Sequence, residues 1–348
     1  MLIHFIFNPA QIFWITRKRY EYKYKSATIV SVLSIFFGQI IAIFVVLRAQ
    51  SNQGVLKLWA NEIGMLIFSV PIYFLILIQG KTFVNIGLWK KLLIFAIPLL
   101  PHYLAQHVMS GADRIMIGDM VSQADAGIYN VVSNIGMIAT LIWNAINASL
   151  VPYTFEHLNK KEYKDINRTV ETLVYIYGLA CLLVVLIAPE VLYFLAPDEY
   201  SGGLYAVPPI TFVSFLNALY NVYANIEFYD KRTGNITFAT IVSAVINIGL
   251  NAVLIPRFSY IGAAYTTLIS YLVLIAFHYY GYSKCSVGRV YNDKRIICFS
   301  LILLLFSLMC NFMYTYRIIR YIVLAVMAVF TIIKRKSIIG LIKRIRSN

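Results

Sequence analysis

The side chains able to do chemistry lie inside apolar segments. In residues 92–117, His102, Gln106 and Asp113 recur with helical spacing. At about 100° per residue they fall within about 40° of one another and form one stripe. His107, Ser110 and Arg114 form a second stripe roughly 100° around the same helix. Asp113 and Arg114 are neighbours in sequence and cannot face each other, so each needs a partner elsewhere or water. Ionisable groups inside a membrane span are costly and usually line a polar path. A structural position at the outer membrane surface, just before an acidic loop, also fits the pair. His102 reads equally as a hydrogen-bonded packing histidine or as part of the path.

Amides form further stripes. Asn217, Asn221 and Asn225 recur at i, i+4, i+8, Asn247 and Asn251 at i, i+4, and Asn130 and Asn134 likewise, followed by Asn144 and Asn147. Amides bind hydroxyl groups without the desolvation cost of a charge. They also join helices, at about 0.6 kcal/mol per contact. A single asparagine reads as such glue, while the three-residue stripe, flanked by Tyr220 and Tyr223, reads as a polar path. No site for covalent chemistry is visible: GxSxG, HExxH, the phosphate-binding GxxxxGK[ST] loop and paired catalytic carboxylates are all missing from the sequence. The expectation is therefore a protein that is not an enzyme, with no cofactor, no bound metal and no ATPase motor of its own.

The elements holding these groups are membrane spans. Of 348 residues, 60% are hydrophobic and 13% charged, about half the charge of a soluble domain. Several apolar runs exceed about 18 residues, enough to cross a hydrocarbon core of about 30 Å. The pattern predicts an all-α, polytopic helix bundle with about ten full spans plus a partial N-terminal one. These spans fall at 27–47, 59–78, 92–117, 127–151, 170–195, 204–226, 236–255, 261–282, 296–313 and 318–333. Pro98 and Pro101 should kink the third. Residues 1–15 are apolar but too short to span, and their basic cluster (Arg17, Lys18, Arg19) follows the apolar run. A secretory signal has the opposite order, so this opening reads as the end of a helix.

The net charge of +15 would point to nucleic acid in a soluble chain. Here it has another source. If the loop after residue 15 is cytoplasmic and each span crosses once, basic residues favour the cytoplasmic side by about five to one. No nucleic-acid partner is expected. The tail 334–348 is basic and suits anionic headgroups. Cys181, Cys285, Cys298 and Cys310 lack metal-binding spacing and read as packing residues. No loop is long enough for a folded domain, so any function resides between helices.

The stretch from Lys90 to Tyr129 carries a resemblance. It contains Lys90-Lys-Leu-Leu-Ile-Phe-Ala-Ile-Pro-Leu-Leu-Pro-His102, then Asp113-Arg-Ile-Met-Ile117, then Ala126-Gly-Ile-Tyr129. These residues resemble bacterial O-antigen and capsule repeat-unit flippases of the multidrug/oligosaccharidyl-lipid/polysaccharide exporter superfamily. The segment from Arg19-Tyr20 to Tyr24-Lys25, opening a helix after a basic loop, is similar to the middle of their first lobe. The resemblance implies a two-lobe bundle in the inner membrane, with most of the first lobe missing. Residues 1–91 would be the remnant of that lobe, 92–333 the second lobe with additional terminal helices, and 334–348 a cytoplasmic tail. It further implies passage of an undecaprenyl-pyrophosphate-linked oligosaccharide along a path lined by the polar residues above, with Arg114 meeting the pyrophosphate. The partners implied are that lipid-linked oligosaccharide, membrane lipids and polysaccharide polymerase machinery. An inactive truncated remnant and a drug or cation antiporter of the same superfamily are the alternatives. The antiporter should place several acids deep in its spans, where the sequence offers Asp113 and little else.

Overall fold

The computed structural model describes residues 2–327 apart from 50 and 83, together with 329. Every regular element among them is helical. The basic tail expected at 334–348, and the end of the span expected at 318–333, lie outside the described residues. The chain divides into two compact units, Met1–Leu92 and Leu93–Asn348.

The first unit holds α1 (Leu2–Tyr20), α2 (Tyr24–Arg48), α3 (Gln53–Gly80) and the start of α4 (Ile86–Ala96). Helix α1 continues through Arg17, Lys18 and Arg19, whose charges suit a helix C-terminus. Its turn into α2 is braced by Glu21, which meets Arg17 at 2.8 Å, Lys18 at 2.9 Å and Lys23 at 3.2 Å. Hydrogen bonds from Lys18, Lys23 and Arg17 hold the Glu21 carboxyl down at about 2. Helices α2 and α3 cross on small residues. Ser34, Gly38 and Ala42 of α2 are buried, as are Ala60, Gly64 and Ser69 of α3. A Cβ on Gly64 would collide with the Gly38 backbone. Lipid gives apolar side chains no reason to hide, so small faces that let backbones approach hold such a pair together.

The second unit continues through a 3₁₀ turn at Ile97–Leu99 into α5 (Leu100–Met120). This break contains Pro98 and ends two residues before Pro101, and each proline removes a helical N–H. The Thr237 hydroxyl donates to the Pro98 carbonyl at 2.5 Å. Next come α6 (Gln123–Asn159), α7 (Tyr163–Leu195), a 3₁₀ segment (Asp198–Ala206), α8 (Val207–Tyr229), α9 (Thr233–Ser283) and α10 (Asp293–Met313), then helical residues 317–327. Helix α8 is apolar nearly all round and is the buried centre of the unit. Helix α9 is two arms joined at Ser259, whose φ of 49° and ψ of −136° are non-helical. Hydrogen bonds between Asn247 and Thr267, and between Asn251 and Thr266, show that the arms fold back side by side. Among the described residues, eight helical stretches are long and apolar enough to cross a membrane. Helices α3, α6 and α7 run several residues past the spans expected from hydropathy, because backbone hydrogen bonding continues where the apolar run stops.

Three basic loops meet at one end of this unit. Asn292 N–H donates to Asn167 at 2.7 Å, and Tyr229 OH to Asn159 at 2.7 Å. Asp230 accepts from Ser286 N–H at 3.1 Å and from Arg232 at 2.8 Å. Partial burial pushes Asp230 up, but the Ser286 and Arg232 hydrogen bonds outweigh it and hold the carboxyl below its ordinary range. Charge bias assigns this end to the cytoplasm. A single cysteine at exposed Lys161, or in 17–25, in a cysteine-free background should resist a membrane-impermeant maleimide applied to intact cells. Labelling as efficient as in lysed cells would reverse the topology.

Candidate functional site

Two polar cores are built inside the second unit. The first surrounds Asp113, which is 3% exposed. Its Oδ2 accepts from Tyr129 OH and from Thr267 Oγ1, both at 2.6 Å, and its Oδ1 accepts from Asn251 Nδ2 at 2.6 Å. The Asn247 amide donates to Thr267 Oγ1 at 3.2 Å, and the Thr266 hydroxyl bonds Asn251 Oδ1. Four strands of chain converge here: α5, α6 and both arms of α9. The Ser259 bend brings Thr266 and Thr267 back opposite Asn251 and Asn247. Three donors satisfy the buried carboxylate without a neighbouring cation. Its oxygens, with the amide and hydroxyl oxygens around them, form a hard-oxygen set.

The second core runs from α5 to the basic end. His102, 1% exposed, bonds Thr240 Oγ1 through Nδ1 at 2.7 Å and Tyr220 OH through Nε2 at 3.1 Å. Gln106 lies beside the same Tyr220 hydroxyl. The Tyr220 ring packs edge-on against His278 with centroids 4.7 Å apart, and His278 Nδ1 bonds Glu227 Oε2.

The predicted site residues thus separate into groups. His102 and Asp113 both turn inward from α5, as one stripe requires, and Gln106 is half-buried beside them. On the other stripe His107 and Ser110 are exposed. Arg114 is half-buried, with an Nε that is buried and lacks a hydrogen-bond partner. Asn247 and Asn251 join Asp113. Asn225 is buried and donates to Asn147 of α6 at 3.3 Å, while Asn221 turns its amide onto the Asn217 carbonyl at 2.7 Å. Asn217 and Asn221 are half-buried, and Asn130 and Asn134 are exposed on α6. Sequence reasoning missed Tyr129, Thr266, Thr267, Glu227 and His278. Glu227 had a signal available, because it precedes Asp230 by less than a helical turn yet belongs to an otherwise uncharged apolar helix. Among the described residues no three His, Cys, Asp or Glu side chains gather as metal ligands.

The polysaccharide biosynthesis protein family model matches residues 15–158, and the MatE model matches 98–253. An Lsg locus protein of Haemophilus influenzae is 24% identical over 195 residues, covering 55% of this chain and 48% of that protein. The capsular polysaccharide biosynthesis protein CapF of Staphylococcus aureus is 22% identical over 204 residues, covering 58% and 52%. The chain spans about half the length of the curated relatives it matches. The lipid II flippase MurJ, in an inward closed conformation, superposes with a TM-score of 0.58 at 14% identity, over 93% of this chain and 72% of that one. At that identity the likeness is one of fold.

Proposed function

We propose, from the premise that this chain belongs to the multidrug/oligosaccharidyl-lipid/polysaccharide exporter superfamily and is a multi-pass protein of the bacterial inner membrane, that it moves a lipid-linked saccharide between the two leaflets. The observation carrying this reading is the polysaccharide biosynthesis match at residues 15–158, which includes all of α5 and nearly all of α6. Those helices supply Asp113, Arg114, Asn130, Asn134 and Tyr129. Polar and ionisable groups at membrane depth are tolerated where they serve a path or a conformational change, and hydropathy gives the chain no other place to act.

The finer reading is an undecaprenyl-pyrophosphate-linked repeat unit of O-antigen or capsule, handed to polymerising enzymes on the far side. Exposed amides at Asn130 and Asn134 suit sugar hydroxyls, and Arg114 suits pyrophosphate oxygens. Deleting the gene in its host should remove surface polysaccharide and leave lipid-linked units on the cytoplasmic face, where a glycosidase reaches them in inverted vesicles alone. Lipid-linked units reaching the outer face at the normal rate would end the proposal. A cation-coupled exchanger is the second reading, and buried Glu227 favours it, since it adds a second buried acid to Asp113.

A further inference from the structure

Glu227 on α8 and His278 on the second arm of α9 are both fully buried. Imidazole Nδ1 meets carboxylate Oε2, and Asn235 Nδ2 donates to Oε1 at 2.5 Å. The meeting depends on Gly281, where a Cβ would collide with both the Glu227 carboxylate and the Asn235 amide. His278 Nε2 is buried without a hydrogen-bond partner.

Other titratable groups stand around the pair. His102 and Tyr103 of α5 lie on one side, and His102 is engaged with Thr240 and Tyr220. Tyr220 of α8 lies against the imidazole, and Tyr271 of α9 flanks Tyr220. Cys285, Asp230 and Arg232 lie beyond Glu227 at the loop end. Arg232 is the nearby cation, but it is exposed and bonded to Asp230 at 2.8 Å, so solvent and its own partner dilute its effect.

We propose that Glu227 and His278 form a buried binding site for one proton, held between the carboxylate and the imidazole. Three occupancies can be compared. With no proton bound, His278 is neutral, its Nδ1–H donates to Glu227, and a full negative charge lies in the dry interior with one amide for support. With one proton bound the pair is neutral overall, whichever member carries it, and Nε2 bears a hydrogen that has no acceptor. With two protons bound the pair carries an uncompensated positive charge. A bare buried charge costs more than one unpartnered N–H, so single occupancy is the resting state. Water reaching the pair would solvate that charge and let the proton leave. Its departure would strain the α8–α9 contact next to the loop end. The site stands whether or not the chain moves a saccharide.

The test is thermal unfolding of the purified full chain in detergent between about pH 6 and pH 9. An unfolded chain releases carboxylate and imidazole protons near about 4.3 and 6.5. Wherever the folded pair holds one proton and the unfolded chain holds none, stability falls as pH rises. His157, which faces Glu162 at 3.5 Å, is present in every variant and cancels when slopes are compared. Glu227→Gln, neutral and similar in shape, should therefore reduce the slope relative to wild type by about one proton. An unchanged slope would overturn the site. Should the variant fail to fold, ¹⁵N spectra of the wild-type protein at about pH 8 decide, with His278 assigned through its backbone. A hydrogen on Nε2 supports single occupancy, and a bare Nε2 with hydrogen on Nδ1 refutes it.

Discussion

Asp113→Leu should be the most damaging substitution in the first polar core, whereas Asp113→Asn should be tolerated. Leucine removes the acceptor for Tyr129 OH, Thr267 Oγ1 and Asn251 Nδ2 at once. Each buried donor left unpaired costs about 1–3 kcal/mol. The hydroxyls can rotate toward other acceptors and the terms are not additive, so a loss of at least about 3 kcal/mol is expected. Asparagine differs because of which oxygen faces which donor. Its carbonyl can keep the Asn251 amide, while its NH₂ takes the Oδ2 position, where both partners are hydroxyls able to turn and accept. Unfolding midpoints in detergent check this directly. Asp113→Leu should fall by on the order of 10 °C, and Asp113→Asn by a small fraction of that. Equal midpoints would mean that the cage contributes nothing to stability.

The sequence displays one side of this cage and conceals the other. His102, Gln106 and Asp113 share a stripe because helical geometry fixes their relative angles, and that stripe turns inward. Pro98 and Pro101 announce the 3₁₀ break for a similarly local reason. The spans expected at 236–255 and 261–282 leave between them the residues that become the Ser259 bend. Tyr129, Thr266 and Thr267 carry no such mark: tyrosine and threonine are ordinary residues in these spans, and their roles depend on helix register across 16 to 154 residues of chain. Glu227 and His278 are 51 residues apart, and although Glu227 is the lone charge of an apolar segment, nothing in the sequence pairs it with His278. The Asn217, Asn221, Asn225 stripe exposes the limit of spacing alone. Each i+4 step advances about 40°, so the three amides fan around α8. Asn225 reaches Asn147, while Asn221 turns back on its own helix.

Arg114→Ala should abolish surface polysaccharide in the host without lowering the amount of protein in the membrane. The two halves of that expectation have separate grounds. Arg114 makes no ion pair among the described residues, and its sequence neighbour Asp113 is already satisfied by three donors. Removing the guanidinium therefore strands no carboxylate, which is the usual reason that deleting a charged side chain unfolds a protein. What it removes is a planar, permanently charged fork whose Nε–H is buried without an acceptor. Such a fork binds two phosphate oxygens in parallel. Losing hydrogen bonds to a charged partner, at about 1.5–3 kcal/mol each, should cut translocation by at least roughly tenfold. Arg114→Lys keeps the charge but not the fork, so partial activity is expected. The readouts are surface polysaccharide and membrane protein level in the same cells. Normal polysaccharide in a stably expressed Arg114→Ala strain would remove Arg114 from the mechanism, and loss of the protein itself would reassign it to the fold.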